Sequence, residues 1–273
     1  MSGAAPAGSV VLVGAGNMGG ALLAGWVDAG VPGKAIIVID PSPSPEMQTR
    51  IVDAGARHAV TPPEGIVPEI IFLAVKPQVM DAVLPSLKTI VSADTVIVSI
   101  AAGKTLASIE GHLGQGAMVR AMPNTPAMIG RGVTGAYANG RVTSTQRAQV
   151  DALLRVSGPV EWVASEQDID AVTAVSGSGP AYVFYLVECM AEAGRKAGLP
   201  ADLAMRLARE TVSGAGELLH RSPETPSRLR QNVTSPGGTT AAALAVLMAE
   251  EGMQPLFDKA IAAARQRAEE LGS

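Results

Sequence analysis

The stretch SVVLVGAGNMGGALLAGW, residues 9–26, passes from a β-branched apolar run through three glycines into a helical pattern. Few folds accommodate that order. The glycines fall as G-x-G-x-x-G at Gly14, Gly16 and Gly19, immediately after one predicted strand and at the opening of one predicted helix. The first permits a tight turn, the second lets a ligand's phosphates approach the backbone, and the third allows the helix to lie close on the strand. The free N–H groups and positive dipole end of the helix favour an anion there. The motif therefore reads as a dinucleotide site, with Gly14, Gly16, Asn17, Met18 and Gly19 lining it.

Beyond residue 29 the β-then-α pattern repeats. The runs at 35–40, 69–75, 95–100 and 117–122 are apolar without strict alternation, as strands buried on both faces are. Helical stretches separate them at 17–29, 45–54, 79–89 and 106–113, and the alternation implies a parallel sheet with right-handed crossovers. GVTGAYA (132–138), a helix over 144–156 and VEWV (160–163) close this α/β domain, expected to span residues 1–165. Past Ser165 the strand signal vanishes. Successive helices are expected through 166–273, and the one over 180–197 is apolar around much of its circumference, which requires neighbours or a second subunit to cover it. GSGP (177–180) is expected to break one helix and start the next.

Composition excludes several roles. Of 273 residues, 47% are hydrophobic and 17% charged, enough for a sizeable core, and the net charge of −4 with no Lys/Arg run argues against nucleic acid or an anionic membrane as partner. His58, His112 and His220 lie far apart and the only cysteine is Cys189, so no metal-ligand spacing exists and no metal is expected. The lone thiol fits a reducing compartment. MSGAAPAGS has neither a basic n-region nor an apolar h-region, and no segment carries 18 consecutive apolar residues. A soluble cytoplasmic protein is expected.

In open α/β sheets ligands collect at the carboxyl ends of the strands. Asp40 ends the second strand, 21 residues after Gly19, where a carboxylate accepts hydrogen bonds from the ribose 2′-OH of NADH. Ser42 and Ser44 could instead hold the 2′-phosphate of NADPH, so both cofactors stay open. AVKPQ (74–78) and MPNTP (122–126) follow two further strands; their prolines stiffen a wall, while Lys76, beside Pro77, and Asn124 supply donors. A solvated lysine and a turn-forming asparagine are the plainer alternatives. VTSPGGTT (233–240) is the remaining polar motif, set directly before an Ala-rich helix.

Taken together, GAGNMGGAL, AVKPQ, MPNTP, AVSGSGPAY and VTSPGGTT resemble pyrroline-5-carboxylate reductase, colinearly and over almost the whole chain. The resemblance implies a Rossmann-type N-terminal domain and an all-helical C-terminal domain for substrate binding and dimerisation, in dimers that can assemble into decamers. It implies hydride transfer from NADPH or NADH to the cyclic imine L-1-pyrroline-5-carboxylate, the last step of proline biosynthesis. It places Ala74, Lys76, Ser99 and Ala101 on the cofactor, and Glu166, Asn232, Val233, Thr239 and Thr240 on the substrate. The chain departs from the pattern at Thr61-Pro62-Pro63-Glu64, where relatives often carry an asparagine, and in the length of HRSPETPSRL (220–229), which bears on Glu224.

Reduction of such an imine needs its carbon held near the hydride donor, an anchor for the carboxylate and a donor near the nitrogen. VTSPGGTT can serve the last two, with paired glycines freeing the backbone and two threonines opening a helix. An ordinary helix cap would need only one hydroxyl. No general acid stands out, so the substrate is expected to bind as the iminium or take its proton from water, with Thr240 as the catalytic residue that orients it. A β-hydroxyacid-dehydrogenase-like enzyme would need a lysine on the helix PAYVFYLVECMAEAGRK, which has none before Lys196. An imine reductase of other substrate range needs the same few groups, and a non-catalytic dinucleotide sensor would have no use for VTSPGGTT.

Overall fold

A computed structural model describes residues 8–272. The chain divides into two compact units: one runs up to Gly177 and also takes in the stretch from Ala264, and the other is Ser178–Ala263.

The first unit is an eight-stranded sheet. β1 (Val10–Val13), β2 (Ile36–Ile39), β3 (Arg57–Ala59), β4 (Ile70–Leu73), β5 (Val96–Ser99), β6 (Ala117–Pro123), β7 (Thr134–Ala138) and β8 (Val160–Trp162) lie in the order β3-β2-β1-β4-β5-β6-β7-β8. β1, β2, β4 and β5 are buried at every position, which is why their sequences lack alternation. α1 (Asn17–Asp28) and α5 (Ser144–Leu154) cover one face, where Trp26 is fully buried against Phe72, 5.0 Å between ring centroids, and donates its indole N–H to the carbonyl of Leu153. α3 (Pro77–Leu87) and α4 (Leu106–Leu113) cover the other through Met80, Leu84, Leu87 and Ile109. α2 (Pro45–Asp53) follows β2.

All neighbouring strands are parallel except β6 and β7, which pair antiparallel from Val119↔Ala138 to Pro123↔Thr134. The connection between them holds only a 3₁₀ turn, Thr125–Ile129. That is too short for the dozen or more residues of a parallel crossover. The sequence pattern alone predicts parallel strands here and does not register this reversal. α3 also begins two residues earlier than periodicity suggests, because Pro77 fits the first helical position and Lys76 before it is extended.

The strands end by Trp162, and the division expected at Ser165 follows that signal. Compactness draws the division later, at Gly177, because α6 (Asp168–Val172) stays with the sheet: Asp170 bonds the buried Arg120 of β6, and Val172 packs on Gly135 of β7. The helix break expected at GSGP falls at Ser178, a bend between two helical elements. Thr173–Gly177 forms a π-helical turn that leads into α7 (Gly179–Lys196). A Cβ on Gly177 would stand 2.8 Å from the terminal methyl of Met122.

The second unit is wholly helical: α7, α8 (Ala201–Arg221), α9 (Pro226–Asn232), α10 (Thr239–Leu247) and the first half of α11 (Met253–Gly272). α7 and α8 pack as a hairpin in which Gly194 lies against Ala204, and Tyr182 meets Phe257 edge to face. Only Ala191 of α7 and none of α10 is buried, while Phe184, Tyr185, Val246 and Met248 are each at least 59% exposed. Apolar side chains on this scale mark a surface meant to be covered. No described helix is long and apolar enough to cross a membrane.

Candidate active site

Each glycine of GAGNMG has a distinct physical reason. Gly14 has φ +90°, and a Cβ there would stand 2.8 Å from Val75 Cγ1 and 3.0 Å from the carbonyl of Ala74. A Cβ on Gly19 would collide with the Gly14 carbonyl oxygen, so the helix lies as close to the strand as it can. Gly16 is different: nothing lies within 4 Å of its missing Cβ, and it is exposed. It is also the N-cap of α1, with no side-chain cap and no acid in the first turn. The N–H groups of Asn17 and Met18 therefore open the helix without an intrahelical partner. This arrangement fits the pyrophosphate of a nicotinamide dinucleotide.

Asp40 fixes the same loop from below. One carboxylate oxygen accepts the N–H of Ala15 at 2.8 Å and the other accepts that of Ser42 at 2.9 Å. His58 Nε2 lies 2.8 Å from the Asp40 carbonyl oxygen. Asp40 thus joins the glycine loop to the β2–α2 loop, a role that the motif spacing does not reveal. Ala74 borders Gly14 and Gly19; Lys76 is exposed at the start of α3, followed by Pro77. Ser99 is fully buried and its hydroxyl accepts the N–H of Ala101 at 3.4 Å. Asn124 Oδ1 accepts the N–H of Val133 at 2.9 Å, joining the two ends of the β6–β7 connection, so its oxygen has a structural task.

Glu166 lies in the first unit. Its Oε1 accepts the N–H of Leu106 at 2.8 Å and stands 3.6 Å from the Arg120 guanidinium. Arg120 is not among the residues expected from the sequence; its only signal there is a lone charge within the apolar run AMVRAM.

Asn232, Val233, Thr239 and Thr240 all lie in the second unit. Asn232 ends α9, and Val233 follows it with 64% exposure. Ser235-Pro236-Gly237-Gly238 forms a turn closed by a 3.0 Å bond from the Gly238 N–H to the Ser235 carbonyl. Gly237 takes φ +69°, the third-position conformation of a type II turn, with proline at the second. Gly238, not a threonine, caps α10, and no side chain takes the free N–H groups. Thr239 and Thr240 are the first two helical residues, so their hydroxyls are not spent on capping. The amide of Asn232 donates to Glu224 Oε2 at 2.9 Å, which gives Glu224 a definite place: it orients Asn232. Among the described residues no group of three or more His, Cys, Asp or Glu is placed to hold a metal ion.

Two family models match. Residues 166–271 match pyrroline-5-carboxylate reductase dimerisation, and residues 9–103 match NADP oxidoreductase coenzyme F420-dependent. The chain is 42% identical to a pyrroline-5-carboxylate reductase of Pseudomonas aeruginosa over 96% of each chain, and 36% identical to one of Escherichia coli over 95% of this chain and 96% of that one. Among solved structures, a pyrroline-5-carboxylate reductase from Coxiella burnetii superposes with a TM-score of 0.90 at 36% identity, covering 97% of this chain and 99% of that one. The Plasmodium falciparum pyrroline carboxylate reductase with NADP bound gives 0.79 at 28%, covering 98% and 100%. Similarity of this extent, over a nucleotide-binding sheet and a helical dimerisation region alike, makes this chain a member of the pyrroline-5-carboxylate reductase family.

Proposed function

We infer that this protein reduces L-1-pyrroline-5-carboxylate to L-proline with NAD(P)H, the closing step of proline biosynthesis. The carrying observation is the turn before α10, where Gly238 leaves the first N–H groups of the helix without a side-chain cap, in a chain whose relatives of that name align end to end. A small carboxylate suits those N–H groups and the dipole behind them. When bound, the reduced nicotinamide would supply a hydride for the imine carbon, the nitrogen's proton being carried by the iminium or taken from water.

The residues divide this work. Gly14, Gly16, Asn17, Met18 and Gly19 hold the pyrophosphate, with Asp40 and Ser42 at the ribose. Ala74, Lys76, Pro77, Ser99, Ala101 and Asn124 border the rest of the cofactor. The N–H groups of Thr239 and Thr240 anchor the substrate carboxylate, Val233 lines its ring, and Asn232, oriented by Glu224, adds a polar contact. The Thr240 hydroxyl orients the imine nitrogen. With no general acid in the set, rate comes from orientation and fixed dipoles. Each subunit works within a homodimer that assembles further into a decamer, covering the apolar helix faces of the second unit. A cytoplasmic setting keeps Cys189 reduced and the cofactor reduced.

Steady-state oxidation of NADH and NADPH with this imine is the direct test; no turnover with either would refute the reading. Thr240→Ala should lower kcat/KM at least about tenfold, roughly 1.4 kcal/mol of transition-state stabilisation, with cofactor affinity unchanged.

A further inference from the structure

Arg120 is a charge where the sheet has no need of one. It lies on β6, 3% exposed, on the strand whose Met118 joins the apolar cluster under α3 and α4. Its Nη2 donates to Asp170 Oδ1 at 2.8 Å, and its Nη1 stands 3.6 Å from Glu166 Oε1. A buried guanidinium is tolerated only with such partners, and replacing the set by apolar side chains often costs no stability. The cluster is therefore poorly explained by stability alone.

Its position supplies another reason. Arg120 is the register partner of Ser99 on the adjacent parallel strand, so their side chains leave the sheet on the same face. The loop from Ile100 to Thr105 starts at Ser99 and ends at Leu106, whose N–H is held by the Glu166 oxygen that faces Arg120. Gly103, at φ +69°, lies in the middle of this loop against Leu271 of α11. Arg120 thus adjoins the start of the loop and, through Glu166, grips its end.

We propose that Arg120 is a positioning residue for NAD(P)H binding: with Glu166 and Asp170 it holds the β5–α4 loop in the conformation that presents Ser99 and Ala101 to the cofactor. The inference rests on the cofactor-lining part of the proposed function, not on the identity of the imine. It assigns the Glu166 carboxylate to the loop rather than to the substrate.

The test uses the full chain. Arg120→Met and Glu166→Ala should each raise the NADPH dissociation constant about tenfold in a fluorescence titration without substrate, as expected when a positioning group is lost. Hydrogen exchange over residues 100–106 should quicken, and KM for the imine should stay within about twofold. Glu166→Gln, which keeps an acceptor for Leu106, should restore most of the affinity. If Arg120→Met does not fold, Glu166→Ala, whose side chain is 23% exposed, carries the test. A folded Glu166→Ala with unchanged NADPH affinity would overturn the proposal. So would a raised imine KM at unchanged NADPH affinity, which would make Glu166 a substrate contact. Wild-type protein that binds NADPH but leaves the imine unreduced would refute the proposed function and leave this inference standing.

Discussion

Two helix beginnings in this molecule are built alike and housed differently. α1 and α10 are both capped by glycine in extended conformation, Gly16 and Gly238, with no side-chain cap and no acid in the first turn. Each is preceded by a glycine at positive φ, +90° at Gly14 and +69° at Gly237. The local backbone therefore offers an anion the same free N–H groups twice. Around α1 the chain closes its own packing, with Gly14 hemmed by Ala74 and Val75 and the helix burying Leu22, Leu23 and Trp26. No residue of α10 is fully buried within the chain, and no atom lies within 4 Å of a Cβ built on Gly237. The free N–H groups are a local property, whereas the rigidity of the helix behind them has to come from packing, and within the chain α10 has no buried residue.

Substitutions at Gly14 and Gly237 should have the largest and most unequal effects. Gly14→Val combines a forbidden φ with overlap on the backbone of Ala74, so it should cost roughly 2–4 kcal/mol of stability and abolish cofactor binding. The urea midpoint and an NADPH titration read both. Gly237→Val meets only the φ penalty, about 1–2 kcal/mol confined to one turn. It should raise KM for the imine and lower the urea midpoint less than Gly14→Val does; a loss of stability as large as that of Gly14→Val would mean that the turn is packed after all.

Val246→Asp probes the uncovered helix itself. Val246 is 71% exposed, so the substitution should leave NADPH affinity intact while shifting the protein to smaller species in light scattering. An unchanged mass would remove α10 from the interface.

The smallest effect concerns acid. The Lys104 ammonium, hydrogen-bonded to Asp81 at 2.9 Å, holds that carboxyl below its ordinary value of 3.8, with His112 contributing. Because the folded value is depressed, the stabilisation is present above 3.8 and lost as pH falls through the folded value. Asp81→Asn should lower Tm slightly above about pH 5, where the pair is formed, and the difference from the parent protein should vanish as pH falls through the acid limb.

The β-α alternation and its parallel sheet, the tight turn at Gly14, the close approach at Gly19 and the polar loop before α10 were legible in the chain, because each rests on short-range rules: buried runs, tight turns and free N–H groups. Thr239 and Thr240 could be named from VTSPGGTT, but that Gly238 does the capping and leaves their hydroxyls uncommitted could not. The antiparallel β7, the tie from Asp40 to Ala15, the bond between Asn232 and Glu224, and the joining of Arg120 with Asp170 and Glu166 were decided only in three dimensions. Arg120 and Asp170 lie 50 residues apart and Leu106 and Glu166 lie 60 apart. No local periodicity records such a meeting; the sheet order and the packing of α6 bring it about.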